Sequence, residues 1–216
     1  MKLLSSFGPN PRVVRMFMAE KKIDIPAENL DILGAENRKG PYLDKNPIGG
    51  LPALELDDGF VIAETAAICE YLEELYPNPP LFGTNPRERA EAHMQLRRIE
   101  LNVTEHLYNA FRYGPGLELF KTRFRCLPEA SEGLLAKAMD NLAIVDKMLD
   151  GNKFLCGDRM TMGDITLYCC LDFVTHSWTK IDGKLDNVIA WFKRMESLPS
   201  AQSSLTPGWD QVGMRG

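Results

Sequence analysis

No apolar run in this chain approaches the roughly 18 residues needed to cross a bilayer. The opening segment MKLLSSFGPNPR carries too short an apolar stretch for a secretory signal. Basic residues are not in excess: Lys+Arg number 25 against 30 Asp+Glu, a formal net charge of −5. That balance argues against nucleic acid or an anionic membrane as a partner. Histidine is scarce, and His93, His106 and His176 lie far apart with no metal-ligand spacing, so they read as surface or core residues and no metal is expected. Cysteines number 5 (Cys69, Cys126, Cys156, Cys169 and Cys170), an odd count with no C-x-x-C pair. This argues against a disulfide framework or a zinc site and suits reduced, mostly buried thiols in a cytoplasmic protein.

What is present is an ordinary globular composition, 44% hydrophobic and 25% charged over 216 residues. A chain of this length buries roughly 70% of its unfolded surface and needs no staples. Lys2 to Ser6 reads as a short buried strand, and the breaker cluster Gly8-Pro9-Asn10-Pro11 leads into a helix with Val13, Val14, Phe17 and Met18 at helical spacing, up to about Lys21. Asn29 to Leu33 reads as a second strand, with Leu30 and Ile32 on one face. Asp57-Asp58-Gly59 between Ala53–Leu56 and Phe60–Ala63 signals a hairpin. Thr65 is placed to cap a helix whose apolar face is Ile68, Cys69, Leu72 and Leu75. Residues 79–86 look like a linker, and beyond it 87–112, about 129–150, 162–178 and 186–197 read as helices with no convincing strand. The tail from Thr206 is polar and rich in Gly and Pro, so it is expected to be irregular.

The densest chemical signal is Asn46-Pro47-Ile48-Gly49-Gly50-Leu51-Pro52-Ala53-Leu54, closing on Glu64-Thr65-Ala66-Ala67-Ile68. Pro52 before a strand is confined to its first residue or an edge. A cis Leu51-Pro52 bond there turns the Leu51 N–H and C=O outward, free for a peptide-like ligand. Unpaired N–H groups at the following helix start, with the Thr65 hydroxyl, suit a carboxylate, and Glu64 suits an ammonium. The same residues also read as an ordinary turn followed by an N-cap.

The stretch Asn46–Ile68 resembles the glutathione-binding segment of cytosolic glutathione transferases, N-P-x-G-x-V-P-x-L, an acidic turn, then E-S-x-A-I, with Leu51 for Val and Thr65 for Ser. A second signature, Gly157-Asp158 and Thr161-Met162-Gly163-Asp164, is similar to that family's buried capping box, in which Thr161 and Asp164 each take the other's backbone N–H. The resemblance covers essentially the whole chain. It implies a thioredoxin-like α/β domain over residues 1–78, then an all-α domain over 87–205 contributing the electrophile site. It implies conjugation of glutathione thiolate to a mostly apolar electrophile, a detoxification role, a homodimer, and glutathione as a substrate with no other cofactor. An isomerase, peroxidase or dehalogenase on the same scaffold, or a non-catalytic glutathione-binding module, is the alternative.

Carried onto this sequence, Glu64 and Thr65 bind the γ-glutamyl end of glutathione, Leu51 pairs with its cysteinyl part, and Pro52 is the cis-proline. The glycine end falls to the loop Glu36–Lys39, with Lys39 ahead of Asn37, although Lys39 also reads as a solvated lysine. The family's usual Ser, Cys or Tyr at the end of the first strand has no counterpart, since the slot falls on Gly8 or Phe7. The Gly-Pro-x-Pro turn is similar to an atypical subgroup lacking that residue. The sulfur then falls to Asn10 first and Ser6 as fallback, with Asn109, Arg112 and Tyr113 as polar groups facing it from the second domain. These last three also read as a surface helix end.

Overall fold

The computed structural model describes residues 1–216, apart from the side chain of Val212. β1 (Lys2–Ser5) is followed by α1 (Pro9–Lys21), β2 (Ala27–Asn29), a 3-10 turn (Glu36–Arg38) and α2 (Gly40–Leu43). The hairpin β3 (Ala53–Glu55) and β4 (Val61–Ala63) then leads into α3 (Thr65–Leu75). The strands lie in the order β2-β1-β3-β4, with β1 parallel to β2 and the other pairs antiparallel. This is a thioredoxin-like sheet. Strand alternation sorts its residues by face: Leu3 and Leu54 join Val13, Val14 and Phe17 in the main core, while Leu4 and Ala53 meet Leu30 and Tyr42 on the other side.

The second strand runs earlier than its apolar residues suggest, ending at Asn29 where Asn29–Leu33 was expected. It is an exposed edge strand held by pairing with β1, and Asp31 breaks it by accepting the Gly34 N–H through Oδ1 (2.8 Å). Leu30 therefore packs beneath the sheet while Ile32 borders the cleft described below.

The helical part comprises α4 (Pro86–Ile99), a π-helical segment (Glu100–Thr104), α5 (Glu105–Tyr113), α6 (Leu117–Phe120), α7 (Ser131–Met148), α8 (Met162–Ser177), α9 (Asp186–Glu196), α10 (Pro199–Ser203) and α11 (Trp209–Val212). α8 is buried from Met162 to Val174 and forms the axis of this part. At its start Asp164 is fully buried and accepts from the Thr161 N–H (2.9 Å), the Thr161 hydroxyl (3.0 Å), the Leu155 N–H (2.9 Å) and the Trp191 indole (3.0 Å). The capping box is thus formed, and it also pins a preceding loop and α9. No described helix is long and apolar enough to cross a membrane.

The segment read as a linker and the tail read as irregular are both docked. Leu81 and Phe82 of the linker are buried in the main core, where the Leu81 carbonyl accepts the Met162 N–H (3.0 Å) and Phe82 sits 6.2 Å from Phe17. The tail carries α11, and Met214 and Arg215 beyond it are buried. Arg215 donates through Nε to Asp172 (2.5 Å) and lies 4.6 Å over the Trp209 ring. Partners that distant in sequence leave no local pattern. All 5 cysteines are free and only Cys126 is not buried. Burial pushes the Cys169 thiol up to about 12 and Cys156 up to about 11.

Candidate active site

Between the sheet and the helical part lies a cleft of two adjoining compartments. The polar one, about 540 Å³, is bordered by Pro52, Glu64, Thr65, Asn109 and Tyr113. The apolar one, about 150 Å³, is walled by Phe7, Tyr108, Phe111, Phe120, Phe173 and Met214. Asn10, Arg38, Gly50, Leu51, Arg112 and Phe124 border both and so mark the junction.

The floor is the Asn46–Pro52 turn, and its residue types follow from how it is held. Gly49 has φ 67, and a Cβ there would come within 2.8 Å of the Asn37 carbonyl, so only glycine fits. Asn37 donates to the Gly49 carbonyl (2.6 Å), Asn46 to the Gly50 carbonyl (2.9 Å), and the Tyr42 hydroxyl also donates to Gly50. Arg38 donates through Nη1 to the Ile48 carbonyl (2.9 Å). So clamped, the turn delivers Leu51 with its N–H and C=O outside the sheet ladder, followed by a cis Leu51–Pro52 bond.

The two helix starts facing the cleft differ. Glu64 occupies the N-cap of α3 at φ 70 and ψ 128, and Thr65 is the first helical residue, so Thr65 is not the cap it was expected to be. A side chain other than Gly, Asn or Asp is uncommon at positive φ. Here the geometry sets the exposed Glu64 carboxylate at the compartment's edge. The Ile68 N–H closes onto the Glu64 carbonyl (3.0 Å), which leaves the N–H groups of Thr65, Ala66 and Ala67 outside the intrahelical ladder. At α1 the cap is Gly8 (φ 106, ψ 168), a conformation open essentially to glycine alone. That backbone explains why no Ser, Cys or Tyr stands there. Pro9 and Pro11 have no N–H, and the Arg12 N–H is used by the Gly8 carbonyl (3.3 Å). Within the first turn of α1, Asn10 alone offers both a free backbone N–H and a side-chain amide.

The structure brings Phe7, Asn10, Asn37, Leu51, Pro52, Glu64, Thr65, Asn109, Arg112 and Tyr113 to this cleft. It does not bring Ser6 or Lys39. Ser6 is buried with its hydroxyl donating to the Leu30 carbonyl (2.8 Å), and its neighbour Ser5 accepts from Arg15 (2.7 Å). Both hydroxyls are spent holding β1 to its surroundings. Lys39 borders a separate cavity with Glu28, Asp31 and Glu36, because the 3-10 turn that points Arg38 at the cleft turns the next side chain away. Opposite the floor, Asn109 donates to Glu105 (2.7 Å) and accepts from Arg112 Nη1 (3.2 Å), which steadies Arg112 at the junction.

Sequence reasoning missed Arg38, Tyr108, Phe120, Arg123, Phe124 and Met214. The interleaving of Phe111, Arg112, Phe120, Arg123 and Phe124 is a legible signal of a basic, aromatic wall. Met214, in a Gly-rich tail, has none. Tyr108 is buried with its hydroxyl unpartnered; burial, then Cys170 beside it, raises its phenol well above 10.0 and keeps it neutral.

Residues 7–75 match the glutathione S-transferase N-terminal domain, and residues 126–199 the glutathione S-transferase C-terminal domain. The chain is similar to glutathione S-transferase 2 of Saccharomyces cerevisiae, 32% identical over 92% of this chain and 86% of that protein. Among solved structures it resembles Gtt2 of Saccharomyces cerevisiae (31% identity, TM-score 0.86, covering 95% of this chain and 100% of that one). It also resembles a glutathione S-transferase domain-containing protein of Marinobacter aquaeolei VT8 (35% identity, TM-score 0.85, covering 93% and 99%).

Proposed function

The chain belongs to the glutathione S-transferase family, and from that premise we propose that it conjugates glutathione thiolate to a mostly apolar electrophile. The observation that carries this reading is the junction: a polar compartment fit for a peptide meets an apolar one where α1 begins, beside Asn10, Leu51 and Arg112.

In this reading the γ-glutamyl carboxylate takes the free N–H groups of Thr65, Ala66 and Ala67 and the Thr65 hydroxyl, and its ammonium pairs with Glu64. The cysteinyl amide pairs with the Leu51 backbone. The glycyl carboxylate goes to Arg38, with Asn37 supporting the turn, in place of Lys39. These placements set the sulfur before α1. Lowering a thiol pKa from about 8.5 to about 6.5 requires about 2.7 kcal/mol. The α1 dipole contributes roughly 0.3–2 kcal/mol and one hydrogen bond to the charged sulfur about 1.5–3 kcal/mol. Asn10 supplies that bond, in keeping with the subgroup that lacks a catalytic Ser, Cys or Tyr. The thiolate then attacks the electrophile held in the apolar compartment, and the leaving group departs with the bonding pair. On family grounds alone the protein is a cytoplasmic homodimer acting in detoxification.

Calorimetric titration with glutathione, paired with conjugation of 1-chloro-2,4-dinitrobenzene followed by absorbance, tests this. Binding and turnover together are expected. Binding with no turnover across a panel of halide, epoxide, peroxide and isomerase substrates would make the chain a binding module instead.

A further inference from the structure

The apolar compartment carries more positive charge than glutathione uses. Arg38, Arg112 and Arg123 all border it, and no acidic residue does. None of the three forms a salt bridge among the described residues. This is local, since the whole chain has a net charge of −5. In the reading above, Arg38 answers the glycyl carboxylate and Arg112 stands at the junction facing the sulfur. Arg123 has no glutathione charge left to meet. Its Nη2 donates to the Leu33 carbonyl (3.3 Å), which holds the guanidinium at the border of the compartment and leaves other N–H groups free. Burial, then the neighbouring Arg38, lowers its pKa, with Asp31 opposing. A half-buried cation with only the exposed Asp31 nearby and no carboxylate in direct contact is poorly matched until an anion arrives.

The body of the ligand is set by the same walls. A volume of about 150 Å³ matches an apolar cavity that takes one benzene ring. Phe111 stands edge-on to Phe173 (4.9 Å, 80°) and to Phe120 (6.4 Å, 76°), and all three rings line the compartment, which suits an aromatic guest. Arg123 lies 5.6 Å from the Phe120 centroid and Arg112 lies 5.9 Å from it, so the cations and the aromatic wall are one surface.

We propose that the second substrate is a single-ring aromatic electrophile bearing an anionic substituent, which Arg123 pairs with. This rests on the transferase reading and narrows it. With a ring halide the step balances: the glutathione thiol loses its proton to solvent, the sulfur forms a bond to the ring carbon, and the carbon–halogen bond breaks to release halide with the electron pair.

The test compares 4-chloro-3-nitrobenzoate with its neutral counterpart 4-chloro-3-nitrobenzamide, each rate divided by its uncatalysed rate with glutathione. The benzoate is expected to be favoured roughly tenfold in kcat/KM, the size of one charge-assisted contact at a partly exposed site. Arg123→Gln is expected to lower benzoate conjugation about fivefold or more beyond its effect on the benzamide, and Arg123→Lys to restore part of the difference. Binding of 3-nitrobenzoate and 3-nitrobenzamide, measured by calorimetry with glutathione present, repeats the comparison without turnover. Conjugation of both halides with no preference for the anion, or equal losses on Arg123→Gln, overturns the anionic subsite and leaves the transferase reading standing. Preferential binding of the anion with neither halide conjugated keeps the anionic subsite and overturns the assignment of its occupant as a ring-halide electrophile, while the transferase reading is decided by the wider substrate panel.

Discussion

Arg12, in the first turn of α1, donates to the carboxylate of Asp172 in α8, and neither side chain is exposed to solvent. Arg12 also donates to the Ala201 carbonyl (2.8 Å) and, through Nε, to Ser204 (3.3 Å), while Arg215 reaches the same Asp172 oxygen. One carboxylate thus joins the helix that carries Asn10, the axis of the helical part and the tail that carries Met214. Both walls of the cleft depend on that junction.

Removing Asp172 leaves buried guanidinium groups without a counter-charge. Asp172→Ala is expected to lose about 3–5 kcal/mol in urea unfolding. The double variant Arg12→Met with Asp172→Leu should lose clearly less than the two single changes summed, since it leaves no orphaned charge in that pair. A loss below about 1 kcal/mol for the single change would refute the account of this pair.

Glu64 is exposed, so in the proposed reading its contribution comes from a charge-assisted contact with the ligand ammonium. Glu64→Ala is expected to weaken glutathione binding by about 1.5–3 kcal/mol, roughly ten- to hundredfold, in calorimetric titration. An unchanged affinity in a folded variant would remove Glu64 from the γ-glutamyl site.

The pH profile of conjugation separates Asn10 from the strand serines. Asn10→Ala is expected to raise the apparent pKa of the bound thiol by about one unit, equivalent to 1.36 kcal/mol. Ser6→Ala should keep conjugation within about tenfold, because its hydroxyl serves the Leu30 carbonyl. Gly8→Ser should destabilise the fold without raising turnover, since φ 106 with ψ 168 strains any side chain. A hundredfold loss in Ser6→Ala with glutathione binding intact would instead make serine the sulfur ligand.

Asp164 serves stability, and its pH dependence has a definite sign. Burial raises its pKa above 3.8, opposed by the bonds from Leu155, Thr161 and Trp191. The folded state therefore holds this proton more tightly than the unfolded chain. Its contribution is complete below the ordinary value and declines as pH rises through the raised one. Between acid and neutral pH, the stability advantage of the parent over Asp164→Asn should narrow. At neutral pH, Asp164→Ala should still cost about 1–3 kcal/mol through unpaired Leu155 and Trp191 donors, with turnover per folded molecule unchanged. Normal melting with lost turnover would contradict this.

Features that rest on contacts between near neighbours were legible in the amino-acid order. The Asp-Gly hairpin, the helical spacing of α1 and α8 and the Thr161–Asp164 box follow from backbone sterics and short-range hydrogen bonding. So does the vacancy at Gly8, which a Gly-Pro-x-Pro turn imposes. Which of two adjacent cations, Arg38 or Lys39, faces the cleft was left to the tertiary fold, because a 3-10 helix rotates successive side chains by about a third of a turn and Lys39 leaves it in extended conformation. The tertiary fold also decided that β2 ends at Asn29, since an edge strand is held by its partner and not by its own apolar pattern. Arg12 with Asp172, the docking of Met214 and Arg215, and the gathering of Arg112 and Arg123 around Phe120 belong to the same class. Their energies come from charges and rings brought together from distant parts of the chain, and burial gives those contacts a strength that no local spacing records.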